Sequence, residues 1–234
     1  MSQIPFDFEH EPSLAAADYV IGACNAAAVA WVARWPDWPA PALAIHGPPG
    51  SGKTHLGCVW AERARARVVA AAELAAIERI SALVEGAAAL LVDDVDRELD
   101  ARRERGLLHL YNLVAERRGH LLLLGLEAPA RWPLVLADLR SRLAAIPAVA
   151  IGAPDDAVLE AVLTKLFADR QLTVAPDVVR YVALRIERSF AAARAVVAAL
   201  DRETLAAGQG VTLPRVRALL ERQGWLAFPD PEGS

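Results

Sequence analysis

The chain has 234 residues, 55% of them hydrophobic, with a formal net charge of −4 and a pI near 5.8. That length suits one large domain or a core with a small appendage, and the apolar share is ample for a packed interior. An acidic balance argues against a protein whose main work is coating DNA, because neutralising phosphates requires a basic surface, and leaves open binding a protein that is itself on DNA.

Residues 1–17 read as an arm, and their acidic start, "MSQIPFDFEHEP", has no apolar signal region. A helix is predicted over 25–35, closed by the prolines of "WPDWPAPA". "ALAIHG" (42–47) is a short apolar run ending in glycine, as a buried parallel strand should be. A helix over 51–67, a short strand at "RVVAA" and a helix over 73–86 follow. "AALLVDD" (88–94) is a second buried strand, 104–119 an amphipathic helix, "HLLLLGL" (120–126) a third strand and 145–152 a fourth. Strands alternating with helices predict an α/β fold with a parallel sheet flanked by helices. After Pro154 the pattern is helical only, through 155–224, which predicts a small all-helical C-terminal lid. The expected organisation is arm 1–17, α/β core 18–153, lid 154–224 and tail 225–234. Cys24 and Cys58 have no metal-ligand spacing and read as small buried side chains of a reducing compartment. No run of about 20 apolar residues escapes a charge or proline, so the expectation is a cytoplasmic protein without membrane contact.

"GPPGSGKT" carries the chemistry. Gly47, Pro48, Pro49, Gly50, Ser51, Gly52, Lys53 and Thr54 fit G-x-x-x-x-G-K-[ST] between a strand and a helix, and His55 extends the run. Glycines let backbone N–H groups turn inward around phosphates, Lys53 reaches the outer phosphates, and Thr54 offers its hydroxyl to magnesium. Lys53 is one of only two lysines in the chain. Asp93 at the end of "LLVDD" supplies the carboxylate for the magnesium shell, and Asp94 the one that polarises an attacking water. Asp96 reads as a solvated turn residue. The cofactor expected is ADP or ATP with magnesium.

Cradle, "LLVDD" and helical lid together resemble an AAA+ P-loop ATPase, and "DYVIGACNAAA" (18–28) resembles the adenine-side segment of the DnaA-related members. That resemblance implies that Tyr19, Val20 and Ile21 line a base pocket. "LADLRSRL" (136–143) is similar to the arginine-finger segment of those proteins, above all of the Hda type, and implies that Arg142 acts on a neighbour's nucleotide. Two departures stand out. Gly125–Leu126 follows the third strand where the family places a polar sensor, leaving Glu127 as the first polar group. The lid's sensing arginine falls on Ala191, with Arg188 and Arg194 the nearest substitutes. Weak intrinsic turnover is the consequence expected.

"QIPFDF" resembles the peptide by which replication proteins dock on the bacterial sliding clamp (the DNA polymerase III beta subunit). Ile4, Phe6 and Phe8 would fill an apolar groove, and Gln3 would bond at its rim. A DNA-binding domain like the initiator's has no room after the lid, so no direct sequence-specific DNA binding is expected. The resemblance implies a negative regulator of replication initiation that stimulates hydrolysis of DnaA-bound ATP. The alternative is an AAA+ helicase loader or adaptor. The resident nucleotide and a homodimer stay open.

Overall fold

The computed structural model describes residues 19–97, 99–207 and 210–227. The arm, with Gln3, Ile4, Phe6 and Phe8, lies outside the described residues.

Strands β1 (Ala42–His46), β2 (Arg67–Ala70), β3 (Ala89–Asp93), β4 (His120–Gly125) and β5 (Ala148–Ala150) form one sheet in the order β2-β3-β4-β1-β5. Every pairing is parallel, with Leu43 opposite Leu122 and Val92 opposite Leu123. The central strands are apolar on both sides because helices cover both. On one face Leu43, Ile45, Leu91, Leu122 and Leu124 pack on α1 (Ala26–Ala33) and on Leu56 and Trp60 of α2 (Lys53–Ala64). On the other, Ala42, Ala44, Leu90, Val92, Leu121 and Leu123 meet Leu107, Leu110 and Val114 of α4 (Ala101–Glu116) and Leu139 and Leu143 of α5 (Ala137–Ala144). Burying each such leucine stabilises the fold by roughly 1.5–3 kcal/mol.

The helix predicted over 73–86 is a correction. The segment forms 3-10 turns at Ala71–Ala75 and Ile77–Arg79, and only Ile80–Val84 is α-helical (α3). The reason is tertiary. A Cβ on Gly106 of α4 would lie 1.8 Å from the Leu74 carbonyl oxygen, so α4 presses directly on this backbone while Leu74, Ile80 and Val84 point into the core. The strand expected over 145–152 is likewise shorter, although Ile151 N still donates to His46 O at 2.7 Å.

Helices α6 (Asp156–Asp169), α7 (Pro176–Ala183), α8 (Phe190–Ala207) and α9 (Leu213–Gln223) enclose a separate apolar cluster that includes Leu163, Phe167, Val182, Val197 and Leu220. Asp155 caps α6, its carboxylate accepting from Val158 N. Among the described residues no helix is long and apolar enough to cross a membrane. Cys24 and Cys58 are free and partly exposed rather than buried.

Candidate nucleotide site

The loop from β1 to α2 turns on backbone that only glycine adopts without strain: Gly50 has φ +72° and Gly52 φ +93°. A left-handed Gly52 at the N-cap leaves the first amides of α2 aimed outward, the arrangement that receives phosphate oxygens. Lys53 is buried, and its Nζ donates to Gly47 O at 2.8 Å and Pro48 O at 2.9 Å. Burial pushes its ammonium below the ordinary lysine value, and the charges of Asp94, Asp93 and Asp96 oppose that shift. Ser51 is also buried, with an Oγ that has no hydrogen-bond partner. An ammonium parked on loop carbonyls, an orphaned hydroxyl and a turn that excludes Cβ atoms fit a phosphate chain bound here. Thr54 is exposed at the start of α2, open to a magnesium ion.

β3 delivers the carboxylates. Asp93 closes the strand and its Oδ1 accepts from Asp94 N at 2.8 Å. Asp94 sits at φ +49°, left-handed backbone uncommon for a residue with a Cβ, and pairs at 3.4 Å with exposed Arg97. Asp96 is the correction here. Far from being solvated, its carboxylate accepts from Leu126 N at 3.0 and 2.8 Å and from Glu127 N at 2.9 Å. A carboxylate from the β3 side thus occupies the amides at the end of β4, where no polar side chain follows Gly125. Glu127 itself is exposed and pairs with Arg131 at 3.1 Å. Three carboxylates within four positions were the available signal for this contact, but nothing local says which one folds back.

Ahead of α1, Tyr19 packs edge-on against His55 with ring centroids 5.1 Å apart. Burial pushes its hydroxyl up to about 12. Asn25 is buried and clips the segment, accepting from Gly22 N and donating to Val20 O, both at 2.9 Å. Val20 is half-buried, whereas Ile21 is 61% exposed. The lid closes over this region: Phe190 N donates to Gly50 O at 2.9 Å, and the Phe190 ring lies 3.1 Å from where a Gly52 Cβ would stand. Ala191 contacts Gly50 at the same seam. Phe190 carried no sequence signal beyond its place beside Ala191.

The substitute arginines separate. Arg188 is exposed and pairs with Asp156 of α6 at 2.8 Å. Arg194, one turn after Ala191 on α8, is partly buried, and burial lowers its pKa. Among the described residues no hydrogen bond or ion pair engages Arg194.

Arg142 stands elsewhere, on the last turn of α5. Its Nε donates to Asp138 at 2.9 Å, its guanidinium lies 5.8 Å from the Tyr111 ring centre, and its side chain is 40% exposed. Arg140 donates to Leu134 O at 2.8 Å.

No protein-family model and no curated protein matches the chain in sequence. Solved structures do match its shape. Domain III of the Thermotoga maritima replication initiation protein DnaA superposes with a TM-score of 0.78 at 18% identity, covering 93% of this chain and 99% of that one. DnaA bound to AMPPCP and single-stranded DNA gives 0.69 at 19% identity, over 92% and 69%. Thermotoga maritima RuvB (T158V) gives 0.62 at 16% identity, over 78% and 61%. The fold is the AAA+ P-loop ATPase fold shared by DnaA domain III and RuvB.

Proposed function

We propose that the chain is an adenine-nucleotide-binding AAA+ regulator of replication initiation, acting on the DnaA ATPase rather than as a motor. Gly47–Thr54 would hold the phosphates of ADP or ATP, with Thr54 and Asp93 toward magnesium, Tyr19 and Val20 toward the base, and Arg194 toward the phosphates from the lid. Bound magnesium nucleotide would supply a polarised phosphoryl group; Asp94 would orient water against it.

The observation that carries the reading is Arg142. It projects from α5 at the surface, and its partners are Asp138 and Tyr111 rather than any cradle residue. An exposed pair of this kind is worth about 0–1 kcal/mol, so Asp138 yields Arg142 readily to a better anion. A cation placed against a neighbour's phosphate stabilises charge developing there, by about 10³–10⁵ in rate. The DnaA-like fold and the "LADLRSRL" segment support DnaA as that neighbour, and Gln3–Phe8 would tether the regulator to the DNA-loaded sliding clamp. Weak intrinsic turnover follows if Asp96 closes the place of the sensor after β4.

The test measures hydrolysis of DnaA-bound ATP in the presence of clamp on DNA. The parent chain is expected to stimulate and Arg142→Ala to lose nearly all stimulation. Equal stimulation by the two would sink the mechanism. Removing residues 1–8 is expected to abolish clamp binding.

A further inference from the structure

Glu104 is a buried acid with no part in the nucleotide site. It lies on the first turn of α4 and is 1% exposed. Its carboxylate accepts from Val135 N at 3.0 Å through each oxygen and from Leu136 N at 2.9 Å. Those two residues lead into α5, the helix that carries Arg142. Val135 is 76% exposed, so its own place depends on this backbone contact, while Leu134 and Leu136 on either side pack on the core.

Leu139 and Leu143 pack α5 on the core, and the Glu104 contact fixes its start as well. The helix has eight residues, too few to hold its own direction in water, where isolated helices shorter than about 12–15 residues are marginal. Its N-cap position is Leu136, which offers no side-chain acceptor to the orphan amides. Glu104, from another helix, instead holds the amides of Leu136 itself and of Val135 just ahead of it. A buried carboxylate is costly unless its hydrogen bonds are made, and here amides leading into α5 take both oxygens. The same α4 carries Tyr111, seven residues on and so on nearly the same face, beneath the Arg142 guanidinium. One helix therefore grips the finger helix at its start and supports the arginine near its end.

We infer that Glu104 is the positioning residue for Arg142: by holding the amides of Val135 and Leu136 it sets the direction in which α5 presents the guanidinium to the neighbouring nucleotide. This rests on the reading of Arg142 as a finger acting in trans. A displacement of about 1 Å at a reacting centre is enough to cost about 100-fold in rate. Glu104→Gln keeps the shape but turns one acceptor into a donor facing an N–H. Leu136→Pro deletes an N–H from the other side of the same contact, at a φ of −73° that proline accepts.

The experiment titrates each purified full-length variant into DnaA-bound ATP with DNA-loaded clamp. Glu104→Gln and Leu136→Pro, each first verified as folded by its melting transition, are expected to lower the maximal stimulated rate by about 10–100-fold. The half-saturating concentration and the chain's own ADP affinity are expected to stay within about twofold of the parent. Glu104→Asp, which keeps the charge, is expected to recover part of the rate. In an Arg142→Ala background Glu104→Gln is expected to add no further loss, as for two residues acting through one contact. A stimulating parent alongside folded Glu104→Gln or Leu136→Pro that stimulates equally overturns the inference alone. So does a loss that persists in the Arg142→Ala background. A parent that fails to stimulate overturns the finger reading, and this inference with it.

Discussion

Lys53 and Tyr19 show how burial sets the chemistry of single residues in this molecule. Lys53 is held inside its own loop by two carbonyls, so the cation is stored at the place where phosphate would need it. Lys53→Ala is expected to abolish retention of a fluorescent ADP analogue while leaving the fold intact, which a binding titration and a melting curve check together. Tyr19 gives a pH signature. Its folded value is pushed up to about 12 from an ordinary value near 10. Between those pH values the unfolded chain has already released the proton that the folded chain keeps, so stability falls as pH rises through that window. Tyr19→Phe is expected to remove that part of the alkaline loss, read as a smaller difference between the denaturant midpoints at pH 10 and pH 12. An unchanged difference would show that the hydroxyl is not buried.

Elements were decided as much by their neighbours as by their own residues. "AALLVDD" and "HLLLLGL" become central strands because their side chains are apolar on both faces, and only a doubly covered parallel sheet accepts that pattern. The stretch at 73–86 has helical periodicity and an alanine-rich makeup, yet most of it is not α-helix. Contact with Gly106 imposes a backbone carbonyl where a helix would keep its carbonyls for itself. Gly106→Ala is expected to destabilise the chain by about 1–3 kcal/mol, although alanine is the better helix former. A gain in the chemical-denaturation midpoint would mean that α4 and the 71–75 turn can separate freely.

At the scale of the whole molecule, the lid and the core are joined over the loop from Gly47 to Gly52. Phe190 seats its backbone N–H on Gly50 and its ring on Gly52, and the buried Ser189 hydroxyl caps the first turn of α8 by accepting from Ala192 N at 3.0 Å. A nucleotide bound beneath this seam would touch both parts and tie them together. Saturating ADP is therefore expected to raise the melting temperature in a concentration-dependent way, by about 2.7 kcal/mol of stability at 100 times Kd. Phe190→Ala is expected to accelerate ADP release several-fold in a stopped-flow chase. Release at the parent rate would show that the aromatic ring does not hold the lid on the cradle.

Sequence by itself determined the parts whose rules are local. The turn between β1 and α2 is legible because its glycines stand at fixed spacing after an apolar strand, and the sheet is legible because doubly buried strands must be apolar throughout. The lid could be read from its unbroken helical periodicity. Tertiary structure alone decided which polar groups find each other across the chain. Asp96 read as a solvated carboxylate and Glu104 carried no local signal, since nothing within a few residues satisfies either. Each is answered by amides about 30 positions away that become neighbours only when the sheet and its covering helices close. Arg188 and Arg194 were equal candidates in one dimension and diverge in three, because Asp156 of a different helix takes the first. Hydrogen bonds between distant segments depend on a register that no short window of residues contains, and this is where the reading of the chain gave way to its folding.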